Sequence, residues 1–549
     1  MQVPSDGWKG LVQNWKSDLP SGLIVALLAL PLSLGIASAS DFPNPLYGVL
    51  TAIIGGIVVS LFMGARLTIK GPAAGLIVIV AGSMAAMGWQ TTLAAIVVAA
   101  VLQILFGVFK LGKLSDFFPL SAVHGMLAAI GIIIISKQVH VLMGVNPVFA
   151  EGAMHHGESV AGKPMVAPLD LFGAIPSTIG KIMQDPILQS SFWVGLVCLL
   201  IVFGWPMLKS PLLKKIPAPM VVLLVAIPLG MAMGLTQDNK QLVKVGNFMN
   251  FAYSVNGGGI KEFVLGFHAD FTQIGAHVGD FIQYVALFAI IGSLESLLTA
   301  KAIDLLDPFK RKTDFNKDLI SVGTGNVIAG ALGGLPMISE VARSSSNVNN
   351  GGKTRWANLF HGLMLLVFVA LLSGVIEMIP KSALAALLIG VGFKLAHPRE
   401  FIHMLHIGKE QLLVFVVTII FTLVEDLLVG IAAGIVTEMI VLMVNGASLK
   451  SLFKAQAEVS FIGDIYEVHV NRSAVFTNFM RIKNTLESIP AQSHIKIVFQ
   501  NCKVIDHSAM EQLHLFQKNY EREGGTVLVE GLNNHTAFSE HEMAGRKKK

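Results

Sequence analysis

The sequence predicts an α-helical polytopic membrane protein with about fourteen transmembrane segments in a 7+7 inverted repeat, plus a small cytoplasmic α/β domain. Three observations predict it. Apolar runs recur along most of the chain, two of them are interrupted by Gly and Pro at matching positions, and after about residue 455 the pattern changes to short alternating stretches.

The 549 residues are 53% hydrophobic and only 14% charged, whereas about a quarter of the residues of an ordinary soluble protein are charged. The apolar runs have the length, roughly 17 to 25 residues, that crosses about 30 Å of hydrocarbon as helix. They fall near 20–38, 45–63, 72–87, 92–110, 119–143, 191–208, 217–234, 277–302, 318–333, 340–351, 356–377, 380–396, 410–425 and 427–446. The expected organisation is a cytoplasmic N-terminal segment 1–18, a transmembrane domain 19–450 and a C-terminal domain 455–549. No small-residue cleavage site follows the first run, so that helix is expected to stay in the mature protein.

With the N-terminus inside, the cytoplasmic connections carry Arg66 and Lys70; Lys110 and Lys113; Lys209, Lys214 and Lys215; Lys310, Arg311, Lys312 and Lys317; Lys353 and Arg355; and Lys394, Arg399 and Lys409. Each is net basic. The short opposite connections carry Asp41, Glu377 with Lys381, and Glu425-Asp426. The positive-inside rule then places both termini in the cytoplasm of a multi-pass protein of the bacterial inner membrane. Topology accounts for the net charge of +5, because the basic residues are not gathered into a groove-sized patch, and no nucleic-acid partner is expected.

Cys198 and Cys502 are too few and too differently placed for a disulfide framework. The sixteen histidines show no metal-ligand spacing, His155-His156 reading as a solvated loop pair, and no zinc-type cofactor is expected. No nucleotide-binding loop, nucleophile elbow or zinc motif points to an enzyme.

Gly71-Pro72 precedes the third segment and Gly333-Gly334-Leu335-Pro336 the tenth. Because seven is an odd number of segments, the two run in opposite directions, as in an inverted repeat. Paired interrupted segments point to a transporter's binding site. A half-helix starting at mid-membrane aims unpaired N–H groups and a positive dipole end inward, so two such ends form an anion site, expected between Pro72 and Arg343. Ala73, Ala74 and Gly75 would let an oxyanion approach the backbone closely. Small residues there also suit helix packing.

Charged residues within membrane segments are costly and mark function. Glu295 lies mid-segment, with Thr299 one turn later on the same face; together they could hold Na⁺ or relay H⁺. Glu340 and Arg343 open the tenth segment, three residues apart and on one face if helical. Arg343 supplies positive charge to an anion, or pairs with Glu340 in an ion pair that substrate must displace. A carboxylate beside an anion site is repulsive unless protonated or cation-bound, which suggests coupling to H⁺ or Na⁺. In the first segment Pro31 frees a backbone carbonyl, and Ser33 could donate to substrate.

At these residues the chain resembles the sulfate permease (SulP) family, bacterial relatives of the mammalian solute carrier family 26 anion transporters. The carriers are the Pro31 pattern, Gly71-Pro-Ala-Ala74, Glu295-Ser-Leu-Leu-Thr299, Gly334-Leu-Pro336 with Ala342-Arg-Ser344, the Gly351-Gly-Lys-Thr354 turn, and Glu425-Asp-Leu-Leu-Val-Gly430. The resemblance implies seven plus seven inverted segments, a core domain moving against a gate domain, a homodimer, and sulfate, bicarbonate, chloride, oxalate or dicarboxylates as substrates. The candidate site residues are Ser33, Ala73, Ala74, Ala342, Arg343 and Ser344 for the anion, and Glu295, Thr299 and Glu340 for the coupling ion; the resemblance implies Na⁺ binding at Glu295 and Thr299. In sodium-coupled bicarbonate relatives the position of Glu295 is Asp; Glu also occurs in relatives thought to be proton-coupled. Many eukaryotic members have Gln where this chain has Leu32, and bicarbonate transporters tend to have a small residue at Glu340.

Beyond residue 455, Ile465–Val470, Ile495–Phe499 and Thr526–Glu530 alternate as strands between polar helical runs. Val504-Ile-Asp-His-Ser-Ala509 is similar to the signature of the STAS domain, with Ser508 at the position phosphorylated in anti-sigma antagonists. The Arg546-Lys-Lys-Lys549 tail reads as a solvated end near anionic lipid. The expected function is secondary active transport of an inorganic anion, sulfate first, coupled to H⁺ or Na⁺. The alternatives are Na⁺-dependent bicarbonate transport, a nucleobase carrier of the same general fold, and an anion-responsive sensor signalling through the STAS domain.

Overall fold

The computed structural model describes the chain except for residues 1–2, 6, 114–117, 148–153, 156–157, 160–166, 209–215, 246–264, 426 and 455. The readings for Lys209, Lys214, Lys215, His156 and Asp426 lie outside the described residues. The chain divides into two units: residues 1–112 with 130–394, and residues 113–129 with 395–549.

The first unit is built from α1 (Gly7–Ala39), α2 (Leu46–Ile57), β1 (Ile69–Pro72), α3 (Ile77–Val108) and most of α4 (Leu120–Leu142). It continues with the two-residue strands β2 (Met154–His155) and β3 (Glu158–Ser159), then α5 (Pro168–Gly173), α6 (Ile175–Gln184), α7 (Pro186–Gly204) and α8 (Ala218–Ala232). After these come α9 (Val278–Leu306), α10 (Phe315–Ala331), β4 (Met337–Glu340), α11 (Val341–Asn349), α12 (Trp356–Ile376) and α13 (Lys381–Leu395). Each of the fourteen apolar runs is helical for most of its length. Seven of the described helices are long and apolar enough to cross a membrane.

These helices are apolar on every side, as buried or lipid-facing helices must be. Leu200 on α7, Leu224 on α8 and Leu371 on α12 are exposed. The third and fourth runs form one helix, α3, broken at Gly88, whose φ of 77° only glycine adopts without strain. Helix α1 continues through Pro31 and starts at Gly7 rather than at the apolar boundary. Asp18 lies in this earlier part, and its carboxylate accepts the N–H groups of Lys353 at 2.7 Å and Thr354 at 3.2 Å.

At the centre of the unit the two interrupted segments are paired strands, which neither shows by itself. β1 runs antiparallel to β4, with Ile69 opposite Glu340 and Pro72 opposite Met337. Extended backbone in an apolar interior must find partners for its N–H and C=O groups, and each strand supplies the other. Neighbouring helices satisfy the outer edges. Asn326 on α10 accepts the Met337 N–H at 2.6 Å and donates to the Met337 carbonyl at 3.0 Å. Asn358 on α12 accepts the Lys70 N–H at 3.2 Å, and Thr51 on α2 accepts that of Leu335 at 2.8 Å.

Lys70 corrects the topological reading. It is not a cytoplasmic loop cation: it is fully buried in β1, its Nζ bonded to Asp318 of α10 at 2.7 Å and to Ser339 at 2.6 Å. The other Asp318 oxygen accepts the Ala65 N–H at 3.1 Å. The polar flank of the sequence concealed a partner 248 residues away.

The second unit holds the start of α4, then α14 (Pro398–Ile407), α15 (Lys409–Val424), α16 (Leu427–Val444) and α17 (Leu449–Phe453). It ends in a seven-stranded sheet with β5 (Gln456–Ile462), β6 (Ile465–Ala474), β7 (His494–Val498), β8 (Cys502–Ile505), β9 (Thr526–Glu530), β10 (His535–Ala537) and β11 (Arg546–Lys548). β6 pairs in parallel with β7 and β8, and β7 with β9; helices α18 (Phe479–Glu487) and α19 (His507–Arg522) complete the layer. Val468, Val470, Ile495, Ile497, Phe499 and Leu513 fill the core. The basic tail is not a free end, because Arg546–Lys548 add a strand to β8 and β10. Cys198 and Cys502 are both buried and unpaired with each other. Burial pushes the Cys502 thiol up to about 12, so it stays protonated and unreactive.

Candidate functional site

The paired strands position the charged residues. Glu340 ends β4 in extended backbone and precedes α11, so it and Arg343 do not share a helical face as the spacing suggested. Its Oε1 accepts the Ala74 N–H at 3.3 Å, and the Ala73 N–H bonds to the Pro336 carbonyl at 3.2 Å. The Ala73 and Ala74 amides expected for an incoming oxyanion are therefore engaged, the second by a carboxylate of the protein itself.

Arg343, in the first turn of α11, is fully buried. None of its three guanidinium nitrogens has a hydrogen-bond partner among the described residues, so pairing with Glu340 is not what holds it. The guanidinium lies against Gly71 of β1, where an added Cβ would overlap Nη1. A buried cation with unmet donors is costly in a medium of low dielectric, and an anion that accepts from its planar fork relieves that cost.

Glu295 lies against Gly75, just beyond β1. It is buried in α9, its Oε1 without a partner among the described residues, and its carboxylate occupies the space that a Cβ at Gly75 would need. Thr299, one turn on, is also buried. The adjacent Ser296 Oγ accepts the Ser339 N–H at 3.2 Å, tying α9 to β4. Glu295, Glu340, Arg343, Ala73 and Ala74 thus flank one strand pair, on segments 73–75, 295 and 340–343. Charge favours a cation beside the carboxylates when an anion binds, and a carboxylate with a hydroxyl one turn away is a donor set that fits Na⁺ as well as a proton.

Gly71 and Gly75 have a use that close approach of an anion did not suggest: each makes room for a charged tip. Gly71→Ala is expected to push the Arg343 guanidinium aside and lower anion affinity at least tenfold. Gly75→Ala is expected to displace the Glu295 carboxylate and impair coupling before affinity. Both side-chain tips are flexible, so both variants should elute as folded protein; sulfate titration of the purified variants checks the first.

The remaining residues are placed differently. Ser33 is buried on α1 with its hydroxyl unpartnered among the described residues and bonded to none of the others. Ala342 is exposed. The Ser344 Oγ is engaged by the Ile69 N–H at 2.8 Å, where it holds β1 in place. Ser508, in the second unit, is buried and its Oγ accepts the N–H of Leu120 at 3.1 Å, capping the start of α4. Besides Asp318, buried ionisable residues that escaped the sequence reading include His361 and Glu438. His361 lies in the apolar run of α12 with both ring nitrogens unpartnered among the described residues, and Glu438 lies in α16, 3.4 Å from the Gln411 amide. The rule that ionisable residues within membrane segments mark function would have found both.

Two unwound segments paired within an all-helical apolar bundle, with a buried unpaired guanidinium against them, define a membrane transporter for anions. The chain belongs to the sulfate permease family, whose model matches residues 15–418. It is 27% identical over 425 residues to the putative sulfate transporter YvdB of Bacillus subtilis, covering 77% of this chain and 73% of that protein. It is 24% identical to the bicarbonate transporter BicA of Picosynechococcus, covering 80% and 72%. Among solved structures, the transmembrane domain of a cyanobacterial BicA aligns with a TM-score of 0.61 at 21% identity, covering 77% of this chain and 98% of that one. The murine anion transporter Slc26a9 in its inward-facing state aligns at 0.63 and 15% identity, covering 96% and 90%. The protein is a multi-pass membrane transporter for inorganic anions.

Proposed function

We propose that the protein is a secondary active transporter of sulfate, working by alternating access in symport with H⁺ or Na⁺. The observation that carries this reading is Arg343, buried and without a hydrogen-bond partner among the described residues, beside the strand pair. A tetrahedral oxyanion accepts two parallel bonds from its fork. Glu340 holds the Ala74 amide in the meantime, and sulfate competes with it for that N–H. Glu295 and Thr299 take the coupling cation, which offsets the carboxylate charge as the anion arrives. The C-terminal sheet is the STAS domain, and Ser508 serves there as a helix cap; a buried hydroxyl engaged by Leu120 does not suit a signalling phosphorylation, which weighs against the sensor reading.

Uptake of labelled sulfate and labelled bicarbonate into proteoliposomes, under an imposed Na⁺ or pH gradient, tests the proposal. Gradient-driven sulfate uptake supports it. Bicarbonate uptake driven by Na⁺, without sulfate uptake, replaces it with the second reading, which the likeness to the BicA proteins favours. Glu295→Gln is expected to retain sulfate binding and exchange while losing gradient-driven accumulation at least tenfold. Undiminished accumulation in that variant would move the coupling site to Glu340.

A further inference from the structure

His361 on α12 is a buried titratable side chain to which the transport reading gives no task. It lies one turn beyond Asn358, so the two share a helix face. Asn358 fixes where that face points, because its Nδ2 donates to the Gly55 carbonyl at 2.9 Å and its Oδ1 accepts the Lys70 N–H at 3.2 Å. The surrounding helices are in backbone contact. A Cβ on Gly56 of α2 would overlap Gly362, and one on Gly22 of α1 would overlap the Ala357 carbonyl and the His361 amide. His361 is accordingly fully buried.

Within that enclosure neither ring nitrogen has a hydrogen-bond partner among the described residues. The Asn358 carbonyl lies toward the ring without completing a bond. An imidazole left so is costly, and an apolar side chain of similar volume would avoid the cost. The same contacts lead to the anion-binding group. One turn along α2 from Gly56, Ala52 lies beside Gly71, against which the Arg343 guanidinium rests, and the charge of Arg343 reaches the imidazole.

Other charges on the elements packed here are engaged or distant. α2 carries none. α1 brings Asp18, which accepts the Lys353 and Thr354 N–H groups, and the exposed Lys9 and Lys16. β1 brings Lys70, paired with Asp318. On α11 the charged residue is Arg343 itself, with Glu340 at the end of β4 acting on it in turn.

We propose that His361 is a proton-binding group of the transport site, taking up a proton as the anion binds and releasing it as the anion leaves. The inference rests on the reading of Arg343 as the anion-binding residue. Without an anion, a proton on the ring would place a second cation near a buried guanidinium, and like charges in an apolar interior repel strongly. An oxyanion on Arg343 reverses that field. Sulfate, with two negative charges against one guanidinium, reverses it more than a singly charged anion does. The proton comes from the aqueous phase open to the site, adds to the lone pair of a ring nitrogen, and departs to the phase that receives the anion. Imidazole suits this exchange because its charge changes near neutral pH. The cation at Glu295 and the proton at His361 are then separate charges moving with one divalent anion, so losing either diminishes accumulation.

If anion binding draws in a proton, the proton must in turn strengthen anion binding, and affinity rises as pH falls. The test is calorimetric titration of the full chain, in neutral detergent at fixed Na⁺, with sulfate between about pH 6 and 8. Repeating each titration in buffers of different ionisation enthalpy counts the protons taken up per sulfate; sulfate itself takes up none in this range. The wild type is expected to take up protons, with affinity falling by up to about tenfold for each unit rise in pH. His361→Gln is expected to take up fewer, to bind at the acid end at least about tenfold more weakly than wild type, and to match it at the alkaline end. His361→Asn replaces it should that variant not elute as folded protein. A histidine that only fills the helix contact would leave proton uptake and pH profile unchanged on substitution, and that result overturns the proposal. So does a wild type that binds sulfate with no proton uptake and no pH dependence, which needs no variant. A wild type that binds no sulfate at any pH instead refutes the reading of Arg343 as a sulfate site, and the proposal falls with it.

Discussion

Arg343→Ala is expected to abolish sulfate binding while leaving a folded protein. Removing one partner of a buried, hydrogen-bonded charge pair costs about 2–5 kcal/mol, which is roughly thirtyfold to several thousandfold in affinity. The unliganded protein should lose little stability, because the deleted guanidinium is buried and makes no hydrogen bond among the described residues. What disappears is the stabilisation that sulfate confers, since a ligand stabilises only the state that binds it. Arg343→Lys keeps the charge but not the planar fork, and should bind with intermediate affinity. Thermal unfolding of each variant with and without sulfate is the measurement. Equal stabilisation of Arg343→Ala and wild type by sulfate would remove Arg343 from the site.

The second large effect concerns the fold that positions the site. Asp318→Ala strands Lys70, fully buried in β1, with Ser339 as its remaining side-chain partner among the described residues. Breaking a buried pair in this way costs about 3–5 kcal/mol, a large fraction of the stability of most domains. The variant is expected to unfold at a markedly lower temperature and to transport nothing, because β1 can no longer hold Gly71 against Arg343. Removing both charges in a Lys70→Met/Asp318→Leu variant should recover most of the stability, since apolar residues of similar volume often replace a buried pair at little cost. If Asp318→Ala unfolds like wild type, the pair is not structural. If the double variant recovers nothing, the network does more than balance charge.

The helices were legible because a helix in lipid is a local matter. Its backbone satisfies itself, so hydropathy and length suffice to find it, and each of the fourteen apolar runs lies largely in a helical element. The two interruptions were legible for a related reason: Gly71-Pro72 and Gly333–Pro336 break the pattern that a continuous helix requires. Glu295, Arg343 and Glu340 stood out because a charge in an apolar run needs an explanation. His361 and Glu438, buried ionisable groups in the apolar runs of α12 and α16, satisfy the same criterion.

The strands β1 and β4 were not legible, whereas alternation had shown β6, β7 and β9. Four residues without alternation, such as Ile69–Pro72, become a strand only when a second such segment lies beside them. Lys70 looked like a loop cation because Arg66 is its polar neighbour in sequence, whereas its partner Asp318 is far along the chain. The basic C-terminus looked like a solvated tail because exposed lysines carry no sign of a strand, yet it pairs with β8.

By itself, then, the sequence determined which segments enter the membrane, where two of them unwind, and which charges lie near those points. Only the tertiary structure decided which groups satisfy them: Glu340 on the Ala74 amide, Asp318 on Lys70, Ser344 on Ile69, and none for the Arg343 guanidinium among the described residues. The physical reason is that burial of apolar surface is written residue by residue, whereas a buried polar group is paid for by a partner whose position along the chain is free. What that pairing leaves unmet is the Arg343 guanidinium, the group that the proposed transport cycle assigns to the anion.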